Sequence, residues 1–321
     1  MPGPARPLVS AALLLLAGLA PAAAQSVSLN SAFARWGYAG AAKGDAAAWT
    51  RKGFKIEAKK DKAVLTIGGV NVWINSAIAA ESGSFFIQKR DYDKTLVAIL
   101  APSAAVVRPI RTIVLDPGHG GRDPGKQNPG LGLNEKALTL DVVMRLKSRL
   151  EQAGYRVLIT RSRDNYVELD DRAAFANRNK ADLFVSIHFN AADDKSVTGV
   201  ETYCLTPAYQ YSTNDSKRSG ADTKPVLGNR NDDANILFAY YVQQTMTRYL
   251  DTPDRGVRRA RFAVLRELNC PGVLIESGFL SNTAEAKHLG DPVYREARIA
   301  KAVCEAIAQY HAKLKALAPK R

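Results

Sequence analysis

The chain has 321 residues, enough for about two domains and a sizeable core, and its composition is that of an ordinary globular protein rather than a disordered or fibrous one. Lys and Arg number 45 against 31 Asp and Glu, a formal charge of +14. That balance favours an anionic partner: a nucleic acid, an anionic membrane surface or a cell-wall polymer.

Residues 1–24 narrow the choice. A short basic start (Arg6) precedes the apolar run Leu13–Leu16 and the small-residue ending Pro21-Ala22-Ala23-Ala24. This is the pattern of a secretory signal cleaved after Ala24. The apolar core is short for a membrane anchor, and no later segment is long and apolar enough to cross a bilayer. The mature protein is therefore expected outside the cytoplasm, in the periplasm or cell envelope, with no transmembrane anchor after cleavage. Export weighs against nucleic acid as a partner. The three cysteines, Cys204, Cys270 and Cys304, lack CxxC spacing and sit among apolar residues, so buried free thiols are expected.

Residues 25–106 read as a small β-rich accessory domain. Phe54–Ala58, Ala63–Ile67, Val70–Ile74, Ser84–Gln88 and Leu96–Leu100 are predicted strands, with Gly68-Gly69 as a hairpin turn and one helical piece near Ala32–Trp49. No cluster of His, Cys or carboxylates suggests chemistry there. Pro102–Pro109 reads as a linker.

From residue 107 to 317 strands alternate with helices, the pattern of an α/β layer domain. Thr112–Leu115 is an apolar β-branched strand, followed by a Gly- and Pro-rich loop holding Asp116 and His119. Asn134 caps a helix that begins at Glu135 and carries the apolar stripe Leu138, Val142, Leu146 and Leu150. Tyr155–Thr160, Leu183–His188, Gly199–Leu205, Ala263–Leu265 and Val273–Ile275 are predicted strands. Leu169–Asn179, Ala234–Tyr249 and Val293–Leu317 are predicted helices. The polar stretch Thr206–Asp233 is long for a connection and suggests a substrate-facing loop.

Of four histidines, His119 and His188 stand at the C-terminal ends of predicted buried strands, where open α/β sheets bind ligands. Glu276 ends a third strand in the same way. Glu135 lies at a helix start, where the dipole favours an ionised carboxylate. Two imidazoles and one carboxylate make a catalytic zinc set, and a second carboxylate outside it can take a proton from water. Spacing alone leaves structural roles open for each residue. His288 and His311 fall on polar helical stretches and read as surface residues. A rival reading comes from Gly120–Lys126, GGRDPGK, which nearly fits a phosphate loop. Gln127 stands where that motif needs Ser or Thr, and Pro124 removes a backbone donor.

The runs TIVLDPGHGGRDPG, NEKALTLDVVMRLKSRLEQAGYRVLITRSRD, LDDRAAFANRNKADLFVSIHFNA, GVETY and DRGVRRARFAVLRELNCPGVLIESGFLSN occur in this order. Together they resemble the zinc-dependent N-acetylmuramoyl-L-alanine amidases of bacterial cell-wall turnover, over about Arg111 to His311. The resemblance implies a twisted, mainly parallel six-stranded sheet flanked by helices. It implies zinc (Zn2+) held by His119, Glu135 and His188, with Glu276 as the catalytic carboxylate. It implies peptidoglycan, stem peptides and glycan, as partner, and leaves a protein activator unassigned. Asn190 and Arg172 are candidates for orienting substrate or ligands, and Asp116 for bonding a ligand imidazole.

Overall fold

A computed structural model describes residues 26–213 and 223–319. The expected signal, residues 1–24, lies outside the described residues, as does part of the 206–233 connection. In chain order the strands are β1 (Ser26–Ser28), β2 (Ala39–Lys43), β3 (Ala46–Arg51), β4 (Phe54–Lys59), β5 (Val64–Ile67), β6 (Val70–Trp73), β7 (Ala79–Glu81) and β8 (Ser84–Gln88). They continue as β9 (Thr112–Pro117), β10 (Gln127–Asn128), β11 (Leu133–Asn134), β12 (Arg156–Ile159), β13 (Leu183–Asn190), β14 (Val200–Leu205), β15 (Asp254–Ala260) and β16 (Gly272–Phe279).

Six of these, in the order β12-β9-β13-β16-β14-β15, form the expected α/β sheet. Every neighbouring pair is parallel except β14 against β16. The central strands are buried on both faces, which is why they read as unbroken apolar runs. Successive residues feed different cores. Ile113, Leu115, Val185 and Ile187 pack with Leu138, Val142, Leu237 and Val303, from the helices Glu135–Gln152, Asp232–Leu250 and Lys301–Leu317. Val114 and Phe184 face the other way, against Ala173, Ala176, Val264 and Leu265 from Leu169–Arg178 and Ala263–Arg266.

The sheet does not stop at β15. Val257 pairs in parallel with Val72 of β6, and the antiparallel meander β6-β5-β4-β3-β2 carries the sheet on to eleven strands. The β-rich segment and the α/β segment thus share one sheet and one apolar cluster running from Leu29 to Leu314. β1, β8 and β7 form a separate small sheet.

Several expectations need correction. Leu96–Leu100 is not a strand: helical turns run over 89–100, and Leu96, Ala98 and Ile99 are their buried face. The helix near Ala32–Trp49 is only Leu29–Arg35, and the alanine-rich remainder makes β2 and β3. Ala263–Leu265 is helical, within Ala263–Arg266, and the strand of that region is β15. His288 is exposed as expected, whereas His311 is half-buried and shares a 2.8 Å hydrogen bond with the Tyr155 hydroxyl. All three cysteines are free; burial raises the thiols of Cys204 and Cys270 to about 11 and about 12. No helix among the described residues is long and apolar enough to cross a membrane.

Candidate metal centre

The site is built where β9 ends. Its chain turns through Pro117 and Gly118 to His119, which takes a left-handed backbone (φ 61°). Two buried arginines fix this turn. Arg172 donates to the carbonyls of Pro117 (2.8 Å) and His119 (3.0 Å), and Arg161 to those of Pro117 (3.0 Å) and Gly118 (2.8 Å). Arg172 is neutralised by Asp116 at 2.8 Å, and Asp116 also accepts from Thr160 and Ser186. Arg172 thus touches the loop backbone and Asp116, not a ligand imidazole. Asp116 does not bond a ligand imidazole: its oxygens are taken by Arg172, Thr160 and Ser186.

The carboxylate that does orient His119 is Asp123, whose Oδ2 lies 2.7 Å from Nδ1. Sequence reasoning missed it, although an acid four residues after a loop histidine was the available signal. This bond leaves His119 Nε2 facing Glu135 Oε2 at 3.0 Å. Glu135 opens its helix, capped by Asn134, whose Oδ1 accepts from the Ala137 amide. Its Oε2 accepts from the Lys126 amide (2.8 Å), and its Oε1 from the Phe189 amide (3.0 Å) and sits 2.9 Å from His188 Nδ1.

His119, Glu135 and His188, far apart in sequence, thus bring one ligand-type atom each to within 4.8 Å of one another. Two imidazole nitrogens converging on one carboxylate can share either protons or a divalent cation, and an N/O set of this kind suits zinc. Burial alone would raise the Glu135 carboxyl, but hydrogen bonds from His119 and His188 hold it well below its ordinary value. Burial alone would depress His119, but its bonds to Glu135 and Asp123 lift it above its ordinary value.

The parallel register of β13 and β16 sets His188 beside Glu276, and the β14 register sets Glu201 on the other flank of Glu276. Glu276 Oε2 is buried without a hydrogen-bond partner among the described residues. Burial first, then the Glu135 and Glu201 charges, push its carboxyl well above the ordinary range, while Lys126 pulls it down. An acid with that proton affinity and an unbonded oxygen is suited to take up a proton. Asn190 ends β13; its amide donates to Glu201 Oε1 at 2.8 Å, and the residue lines the same cavity. That cavity, about 260 Å³, has His119, Glu135, His188, Glu276, Lys126 and Asn190 on its polar side and Leu169, Phe262, Ala263 and Val264 on its apolar side.

The family profile described as N-acetylmuramoyl-L-alanine amidase matches residues 113–309. AmiC of Neisseria meningitidis serogroup B, an N-acetylmuramoyl-L-alanine amidase, is 35% identical over 223 residues, 63% of this chain and 53% of its own length. LytC of Bacillus subtilis, another, is 36% identical over 200 residues, 62% of this chain and 35% of its own. The chain thus spans about half or less of the length of these two relatives. The crystal structure of N-acetylmuramoyl-L-alanine amidase from Clostridium difficile 630 aligns with a TM-score of 0.52 at 31% identity, over 63% of this chain and 97% of that one. With a profile match across most of the six-stranded sheet and its helices, the chain belongs to the N-acetylmuramoyl-L-alanine amidase family.

Proposed function

We propose that this protein is a zinc-dependent peptidoglycan hydrolase that cleaves the amide between the lactyl group of N-acetylmuramic acid and the L-alanine of the stem peptide. The observation that carries this reading is the convergence of His119, Glu135 and His188 in a cavity that also holds Glu276. The first three would hold the metal and Glu276 would be the catalytic carboxylate.

Zinc, when bound, supplies a Lewis acid for the scissile carbonyl and a lowered pKa for water. Asp123 keeps the proton of His119 on Nδ1, so that Nε2 is the free donor. Glu276, as a carboxylate, accepts the proton of the attacking water and delivers it to the departing alanine nitrogen. Leu169, Phe262 and Val264 give the cavity an apolar wall, against which the methyl groups that flank the scissile amide would lie. Export through residues 1–24 belongs to the same proposal, because the polymer lies outside the cytoplasm. So does an accessory, non-catalytic role for residues 26–106, which supply none of the cavity's lining.

The test uses purified protein on isolated sacculi. Intact stem peptides should be released, release should stop with chelator, and zinc should restore it. Glu276→Gln should keep one zinc per chain and lose at least about a hundredfold in rate. A Glu276→Gln protein that turns over normally would remove Glu276 from the mechanism. Sacculi left intact by zinc-loaded protein would remove the substrate.

A further inference from the structure

Among the described residues that line the cavity, Lys126 is the sole lysine or arginine. Its backbone is pinned on both sides to the metal-site carboxylate: its amide donates to Glu135 Oε2 at 2.8 Å, and its carbonyl accepts from the Glu135 amide at 2.8 Å. The residue before it, Gly125, has φ 66°, and a Cβ there would stand 2.6 Å from Glu135 Oε2 and 2.7 Å from His119 Cδ2, so the chain passes close beside both side chains. The side chain is nonetheless exposed and makes no hydrogen bond or ion pair among the described residues. Lys126 and Glu276 feel each other's charge across the cavity, but no hydrogen bond joins them, and Glu276 Oε2 is buried without a hydrogen-bond partner among the described residues.

A cation on a pinned backbone, beside the reacting centre and left unpaired, is arranged for a charge brought by a ligand. Generic attraction to an anionic polymer does not need it, because the chain carries a formal charge of +14 already. A lysine side chain spans about two residues of extended peptide, at about 3.5 Å each. Because Lys126 lines the cavity, an anion about two residues from an amide bound there would fall within that length. Resting on the amidase reading, we infer that Lys126 is a specificity residue that pairs with a free carboxylate on the peptide side of the substrate, at the residue following the alanine. Where that carboxylate is amidated, the pairing is lost.

The experiment compares two soluble glycan-linked muropeptides that differ only in this group, free carboxylate against carboxamide. With zinc-loaded wild-type protein, kcat/KM should favour the carboxylate by about fivefold, carried by KM, and the preference should shrink as salt is raised. Lys126→Gln should cleave the two substrates at the same rate, with unchanged zinc content. Binding of the free peptides to Glu276→Gln protein, read by calorimetry, should show the same preference and lose it on adding Lys126→Gln. A wild-type protein that cleaves both equally, or a variant that keeps the preference, overturns the inference and leaves the amidase reading intact. A variant slowed equally on both, with its acidic pH limb moved to higher pH, would make Lys126 a counter-charge of Glu276 instead and overturn the inference. Cleavage of neither substrate by wild type overturns the amidase reading and this inference with it.

Discussion

Gly118 shows how little room the centre leaves. A Cβ built there would stand 2.3 Å from His188 Cε1 and 2.5 Å from Nε2. The ring would have to leave the position from which it meets Glu135, so Gly118→Ala should weaken zinc binding at least about tenfold by competition with a chromophoric chelator. The thermal midpoint should move little, since the main-chain turn itself is compatible with alanine. Proton competition gives a second expectation at the same scale. Zinc needs neutral His119, whose pKa is raised above 6.5 by Glu135 and Asp123 once the opposing effect of burial is overcome. Above that raised pKa the imidazole is free to bind. As pH falls through it, the imidazolium must first lose a proton, and apparent affinity drops. The decline should begin above pH 6.5. Asp123→Ala should move its onset to lower pH while weakening binding at pH 8, because the same carboxylate both raises the pKa and orients the ring.

At the level of elements, the site depends on how β9 is tied to the Leu169–Arg178 helix. Asp116 and Arg172 are 0% and 2% exposed and meet at 2.8 Å. Removing one partner strands a buried charge, so Arg172→Met should cost about 3–5 kcal/mol in denaturant unfolding. Asp116→Leu with Arg172→Met should recover part of that loss. The double variant should still bind zinc more weakly, because the His119 carbonyl has lost its Arg172 donor and the Pro117 carbonyl one of its two. The sequence carried much of this framework. Buried parallel strands appear as apolar runs, the 135 helix as a stripe, and strand ends locate His119, His188 and Glu276. What it hid has physical causes. β15 reads DRGVRRA, yet Arg258 stacks on Trp73 and pairs with Glu201, and Arg259 is buried against Lys94 and Thr95. Partners distant in sequence make that polar strand buriable, and no local pattern records them. Leu96–Leu100 is too short an apolar run for its period to separate helix from strand. The alanines of β2 and β3 carry a weak strand signal of their own, and pairing with β4 overrides it. Asp123 and Glu201 have roles set by register and loop shape, which spacing does not encode.

Over the whole molecule, the shared sheet decides how the chain unfolds. The backbone seam between β6 and β15 is short, a single register pair, Val257 with Val72. It is reinforced by Asn71 donating to Asp254 at 2.7 Å, Trp73 Nε1 to the Arg255 carbonyl at 2.9 Å, and Tyr240 to the Ile67 carbonyl at 3.2 Å. Around the helical turns at 89–100, Gln210 donates to buried Asp91 and Arg259 to Thr95. These side chains come from both halves of the chain, and apolar residues of both halves fill one cluster. Neither half can expose its seam without leaving buried donors and acceptors unpaired. Residues 26–319 should therefore melt in one calorimetric transition, with calorimetric and van't Hoff enthalpies in agreement. Asp254→Ala, which empties the acceptor shared by Asn71, Gln243 and Gly256, should lower that single midpoint without splitting it. Two separable transitions in the parent protein would mean that the seam is a docking contact between independent units. In that case removing residues 26–106 should leave zinc binding and stability of the remainder unchanged. The continuous sheet argues for the opposite result: the truncated chain would bare the β15 edge, aggregate and lose metal affinity together with its fold.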